Sequence, residues 1–273
     1  MTPVRGPGAV AIDREWRRFS RTERIARFIV YFCVVLAIVL SLQSVEVIPE
    51  FIVDAPEQIA DMLRRMWPVA WGFYPAGVHE ALLDSLHIAT MGTVLAVMMA
   101  IPIAFLSARN VTHNVWLNYV GKLILVSSRS VNTLIWALFF VAVFGPGALA
   151  GTLAIAFHSI GFTGKLLSEA LEESHPGTIE ALEATGAPWL SIALKGFWPQ
   201  VKPAFWAIVL FRWDINVRES AVLGLVGAGG VGMALDTALN LFQWDRVAAI
   251  LIAILVVVVI AEVAVTSLRQ RVI

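Results

Sequence analysis

The run Glu180-Ala181-Leu182-Glu183-Ala184-Thr185-Gly186, followed after nine intervening residues by Gly196-Phe197-Trp198-Pro199, decides how this chain is read. It lies in the longest polar break of a very apolar sequence. Pro176-Gly177 breaks the preceding helix, and Thr178 is placed to cap a new one. Glu180 and Glu183 then fall in its first two turns, near the positive end of the helix dipole. Ala181 and Ala184 leave a small-residue surface that a partner can approach closely. Gly186 suits the left-handed position that follows a helix. Pro188 can start the next helix, and Pro199 with Pro203 marks the entry into a further span. Such a helix, held parallel to a membrane between two turns, reads either as a docking element or as an ordinary loop helix.

The rest of the chain says which solvent it lives in. Hydrophobic residues make up 59% and charged residues 15%, against about 25% charged in a soluble domain. Several apolar runs reach the roughly 20 helical residues that cross a bilayer core. The expected class is all-α: a polytopic membrane protein. The one cysteine, Cys33, lies inside the first apolar run and reads as a small buried apolar side chain. No small-residue cleavage site follows Phe28–Leu42, where Gln43-Ser44-Val45-Glu46 stands, so this run reads as a retained span.

The spans are expected at about 27–47, 86–108, a third ending at Phe144 and beginning near Trp116 or Arg129, 148–167, and 247–268. A fifth in chain order is hidden. Pro203 to Phe211 is apolar for only nine residues before Arg212, Asp214, Arg218 and Glu219. Charge parity recovers it. Arg5, Arg14, Arg17, Arg18, Arg21, Arg24 and Arg27 place the N-terminus inside, and Arg269 with Arg271 suggests the same for the C-terminus. Two inner ends require an even number of crossings, so 204–218 also crosses and the total is six transmembrane helices.

Residues 1–26 are then a basic cytoplasmic N-terminus, 27–47 the first span, and 48–82 an external amphipathic segment. Residues 83–268 form a core containing the cytoplasmic loop 168–202, and 269–273 the cytoplasmic C-terminus. Residues 44–82, rich in Glu46, Glu50, Asp54, Glu57, Asp61 and Glu80, lie outside, as do 219–246. Asp54 is a candidate cap with Pro56 in the first turn, and Ile59, Met62, Leu63 and Met66 share one face. Leu235, Leu239 and Phe242 make a similar stripe. Both stripes read as interfacial or as simple packing. No strong internal repeat is visible, which weighs against inverted halves.

Gly227-Ala228-Gly229-Gly230-Val231-Gly232 matches GxGxxG, but it follows a membrane helix rather than a strand. It is expected to be a flexible external loop allowing close backbone approach. Asp214 and Arg218 stand at i,i+4, acid first, as a helical ion pair, and Arg212 and Glu219 share a face. Ionisable groups at membrane depth face a bundle interior or water. The cluster is therefore an ion-pair network or an anion-attracting surface, and Arg218 is the best anion donor. Lys165 and Arg129 snorkel at span ends, or help release an anion inward. His158 and His87 read as buried polar groups, and the histidines do not cluster with carboxylates as a metal site would need. Pro102 is expected to kink its span, and the ten tryptophans suit interfacial anchoring. No GxxxxGK followed by Ser or Thr occurs, so energy comes from another chain or an ion gradient.

The opening segment resembles the signature loop of ABC importer permeases: Glu-Ala-Ala, three residues, Gly, nine residues, then Ile-x-Leu-Pro. Glu180, Ala181, Gly186 and Pro199 match, whereas Leu182 replaces the second alanine, Gly196 the isoleucine and Trp198 the leucine. His158-Ser159-Ile160-Gly161-Phe162-Thr163-Gly164-Lys165-Leu166-Leu167-Ser168-Glu169-Ala170 is similar to a stretch of phosphonate importer permeases. So is Arg218-Glu219-Ser220-Ala221-Val222-Leu223-Gly224-Leu225-Val226 running into the glycines. The glycine part is shared with methionine permeases. The resemblance covers roughly 80–268.

It implies a type I permease fold, paired with a second copy of itself in the bacterial plasma (inner) membrane. Two cytoplasmic ATPase subunits bind below and a substrate-binding protein docks outside. No cofactor is expected on this chain, because ATP and Mg belong to the ATPase, and no nucleic-acid partner is expected. The implied substrate is phosphonate, phosphate or a related anion. The rivals are methionine or another small solute, a gradient-driven secondary transporter, and a membrane enzyme. No nucleophile–base constellation supports the last.

Overall fold

A computed structural model describes residues 21–44 and 49–272. Arg5, Arg14, Arg17 and Arg18, and the end of the first expected span at 45–47, lie outside the described residues. Among the described residues the chain is helical throughout and falls into two units, 1–60 and 61–273.

The first unit holds α1 (Arg21–Ser44) and most of α2 (Pro49–Arg65). None of the α1 side chains is buried, and Cys33 is exposed, not buried as expected. An all-round apolar helix presents every face to a bilayer, so nothing in this unit needs to cover it. Asp54 does not cap α2. The helix begins at Pro49, whose fixed φ and missing N–H suit a first helical position, and it runs on through Asp54 and Pro56.

The second unit is built around two long helices, α3 (His79–Ser107) and α6 (Ala148–Glu172), which make its most extensive pairing. Their buried faces are rich in small residues: Ser85, Ala89, Gly92, Thr93, Ala96 and Ala100 on α3, and Gly151, Ala154, Ser159, Gly161 and Gly164 on α6. Small residues let membrane helices approach backbone to backbone, where lipid offers no hydrophobic drive between them. A Cβ on Gly92 would stand 2.6 Å from Ile155 Cγ2. The α3 helix continues unbroken through Pro102.

The third expected span is two helices, α4 (Val115–Ser130) and α5 (Thr133–Phe144), bent by 89° at Val131-Asn132. Both of these residues are extended, and Asn132 caps α5 by accepting from Leu134 N at 2.9 Å. An irregular backbone at membrane depth needs its polar groups satisfied by protein. His158 does so: its Nδ1–H donates to Val131 O at 2.9 Å. Ser128 adds its hydroxyl to Phe157 O and accepts from Gly161 N at 3.1 Å. His158 thus has the local partner expected of it, whereas His87 is exposed rather than buried.

Within the 168–202 segment lie α7 (Pro176–Ala184), the short α8 (Trp189–Ile192), and a π-helical turn, Ala193–Phe197, that leads into α9 (Trp198–Leu223). A 3-10 turn, α10 (Val231–Asn240) and α11 (Trp244–Val272) complete the chain. Among the described residues, helices α1, α3 and α11 are each long and apolar enough to cross a membrane, and two bent pairs, α4–α5 and α8 through α10, bring the number to five when each pair counts as one span. At 25 residues α6 has the length of a span, and its Gly, Thr, His and Lys lower its hydropathy. Leu235 and Leu239 pack inward against Val247 and Ile250, while Phe242, third in the expected stripe, is exposed.

Candidate functional site

The polar loop folds as a packed platform. Pro176 takes the first position of α7 and His175 precedes it, so Thr178 lies inside the first turn and does not cap. Proline is preorganised for that position and moves the cap three residues earlier than expected, from Thr178 to His175. The far end is a Schellman motif: Ala187 N donates to Leu182 O at 3.3 Å and Gly186 N to Glu183 O at 2.9 Å. Gly186 carries φ +68°, the left-handed value expected there. Ile179 and Leu182 turn inward onto Leu171, Ile192, Phe197 and Val201, which joins α7 to the ends of α6 and α9. Gln200 ties the start of α7 to α9, accepting from His175 N at 2.7 Å and donating to Gly196 O at 2.8 Å. Glu180, Ala181, Glu183 and Ala184 are left exposed together.

The α9 charges form the second cluster. Asp214 pairs with Arg218, and Arg212 reaches Glu219 at 3.4 Å, both as the spacing predicts. Arg212 is only 4% exposed, and its Nε donates to Ser159 Oγ at 2.8 Å. Ser159 donates to Asn216 Oδ1 at 3.2 Å, Asn216 to Thr93 Oγ1 at 2.8 Å, and Thr93 to Ala89 O at 2.6 Å. This chain of donors stitches α9, α6 and α3 through their buried faces. Thr133, at the start of α5, donates to Glu219 Oε2 at 2.9 Å. Arg218 is half exposed and lines an open pocket of ≈ 290 Å³ with Glu219, Asn132, Thr133 and Val222. Asp214 Oδ1 is buried without a partner among the described residues.

The third cluster lies between α4 and α6. Arg129 and Lys165, predicted separately, line one pocket of ≈ 370 Å³ together with Arg109, Lys122, Glu169 and Glu172. Sequence reasoning missed Arg109 and Lys122. A lone cation near a span end carries no signal of its own, and only the packing of the α3–α4 turn, α4 and α6 brings the four together.

Residues 92–273 match the family described as binding-protein-dependent transport system inner membrane component. The chain belongs to this family. It is similar to the phosphate-import permease protein PhnE of Mycolicibacterium smegmatis, 36% identical over 234 residues, which is 86% of this chain and 44% of that protein. The chain thus spans less than half the length of that relative. It is also similar to the phosphite transport system permease protein PtxC of Stutzerimonas stutzeri, 37% identical over 213 residues, covering 78% of this chain and 77% of that one. Among solved structures, an inward-facing MetNI methionine ABC transporter aligns with TM-score 0.61 at 20% identity, over 72% of this chain and 96% of that chain. The fold is that of a type I ABC importer permease.

In this permease the glycine-rich segment is a packed turn and not the flexible loop expected. Gly227, Gly229 and Gly230 have positive φ, Ala228 is fully buried, and Gly227 O accepts from Gly147 N at 2.9 Å. Ser85 Oγ accepts from Val231 N at 2.8 Å. A Cβ on Gly232 would stand 2.3 Å from Ala221 O. The glycines serve close backbone packing of the permease against itself. Among the described residues no cluster of His, Cys, Asp or Glu could hold a metal ion.

Proposed function

We propose that this permease imports phosphorus oxyanions, phosphonate or phosphate, by alternating access driven by a separate cytoplasmic ATPase. The observation that carries the reading is α7: a short helix backed by an apolar cluster, with Glu180, Ala181, Glu183 and Ala184 outward. Seated in an ATPase groove, such a platform passes subunit motion into α6 and α9 without bending. Glu180 pairs there with a basic residue of the ATPase. ATP and Mg act on that partner, two copies of this chain form the pathway, and a binding protein delivers substrate outside.

In this reading both termini are cytoplasmic, six helices cross, and 168–202 faces inward. The segments 1–26, 27–47, 48–82, 83–268 and 269–273 then divide as the charges suggest. Names of relatives support the substrate class. So does chemistry: Arg218 lines a pocket at the start of α5, where a helix N-terminus of a broken span adds positive potential. An entering anion competes with Asp214 for the Arg218 guanidinium, while Arg212 and Thr133 hold Glu219 back.

The test is uptake by the complex reconstituted with its ATPase and binding protein. ATP-dependent accumulation of phosphate or methylphosphonate is expected. Transport without ATP would point to a secondary transporter, and uptake of methionine alone would reassign the substrate.

A further inference from the structure

We infer that the trough between α4 and α6 is a second phosphorus-oxyanion site, which holds the anion on the inward leg of its path. On α4, Lys122, Leu125, Val126 and Arg129 share a face at i, i+3, i+4 and i+7. On α6, Lys165, Ser168, Glu169 and Glu172 repeat that spacing opposite them. The turn after α3 contributes Arg109, and Arg109 and Lys122 also line an adjoining pocket of ≈ 420 Å³ with His113 and Tyr119.

The carboxylates are already engaged. Glu169 pairs with Lys165 at 3.4 Å, and Glu172 accepts from the Arg109 backbone N–H at 2.9 Å. Among the described residues no carboxylate lies within ion-pair distance of the Arg109, Lys122 or Arg129 side chains. The trough therefore holds four cations against two carboxylates, a net excess of two positive charges, which attracts an anion and binds tetrahedral oxygens through charge-assisted hydrogen bonds.

Depth decides what kind of anion. Gly161 lets α6 lie against the backbone of Arg129, since a Cβ there would stand 2.9 Å from Arg129 N. Gly161 precedes Glu172 by eleven residues, about 16 Å of helix. The row of cations therefore climbs from the α3–α4 turn roughly halfway into a bilayer core of about 30 Å. A lipid-facing row at that depth is costly, whereas a row along water is not. A lipid phosphate stays at the surface and meets only the Arg109 end. A free anion can use every station. Long side chains on a helix lean toward its N-terminus, so Arg129 and Lys122 lean toward Arg109 and hand the anion inward. The inference rests on the orientation and substrate class proposed above.

The experiment uses the permease with its ATPase in nanodiscs of neutral phosphatidylcholine, with radiolabelled inorganic phosphate in equilibrium dialysis. Saturable binding is expected, weakened at least about tenfold by Lys122→Gln with Arg129→Gln. A parallel arm uses discs containing phosphatidylglycerol, with retained lipid measured by mass spectrometry. Phosphate binding lost in the double variant supports the free anion. Retention of phosphatidylglycerol that the same substitutions abolish, without phosphate binding, assigns the site to a lipid headgroup. Neither, or binding indifferent to both substitutions, overturns the site. If the double variant fails to assemble, Lys122→Arg against Lys122→Gln decides, because only the first keeps the charge. A complex that imports phosphate while the trough variants bind and import normally sinks the trough alone. A trough that binds phosphate in a complex importing none sinks the substrate class alone.

Discussion

Leu182 Cδ1 would stand 3.1 Å from a Cβ on Gly196, so each residue occupies space the other leaves. The resembling family has alanine at the first position and isoleucine at the second. The two departures that look independent in sequence are one exchange of volume across the contact between α7 and the π-helical turn before α9. Gly196→Ile alone should overpack the platform by about 1–3 kcal/mol, and Leu182→Ala should open a gap. The double variant should recover most of both losses, a coupling of about 0.5–3 kcal/mol for residues in contact. Thermal unfolding of the purified permease measures this, and additive losses would contradict it. Arg212 makes a similar argument with charge. Removing one partner of a buried pair strands the other, so Arg212→Met should cost about 3 kcal/mol. Adding Glu219→Gln should return part of it. The same unfolding assay reads both, and no recovery would mean that Ser159, not Glu219, is the partner that matters.

Elements were legible where their signals are local. The i,i+4 pair in α9, the glycine that ends α7 and the proline-marked entry to α9 depend on neighbours a few residues away, and the structure has each where its spacing puts it. Thr93, Ser159 and Asn216 were not singled out, because Thr93 and Asn216 stand 123 positions apart in the chain and only the α3–α9 packing joins them. The 89° break was also hidden, since hydropathy sums residues and does not register two extended ones at Val131-Asn132. Glycine at φ +68° predicts its own test. Gly186→Val forces a β-branched residue into a left-handed conformation, at about 1–2 kcal/mol, and should loosen the end of α7. Glu180→Lys leaves the helix intact and reverses the exposed charge. Both variants should lower ATP-coupled uptake more than ATP hydrolysis, measured in the same proteoliposomes. Normal coupling in both would remove α7 from the drive train.

At the scale of the whole permease, platform, charged cluster and trough need a particular orientation to act in series. α7 must face the ATPase, and the start of α10 must lie across the membrane from it. The connection between them is α9, 26 residues long, or about 39 Å of helix, enough to cross a core of about 30 Å once. One crossing places Glu183, exposed on α7, and Phe242, 75% exposed beyond α10, on opposite sides. The chain has a single native cysteine, Cys33, so replacing it with serine leaves a clean background for one introduced thiol. In intact cells whose outer barrier has been opened, an impermeant maleimide should label Phe242→Cys and spare Glu183→Cys. After the membrane is permeabilised both should label. Labelling of Glu183→Cys from outside would invert the permease and leave α7 with no ATPase to meet. Labelling of both from one side would mean that α9 does not cross. In either case the charged pocket at Arg218 and the trough at Lys122 would no longer lie in sequence along one inward path.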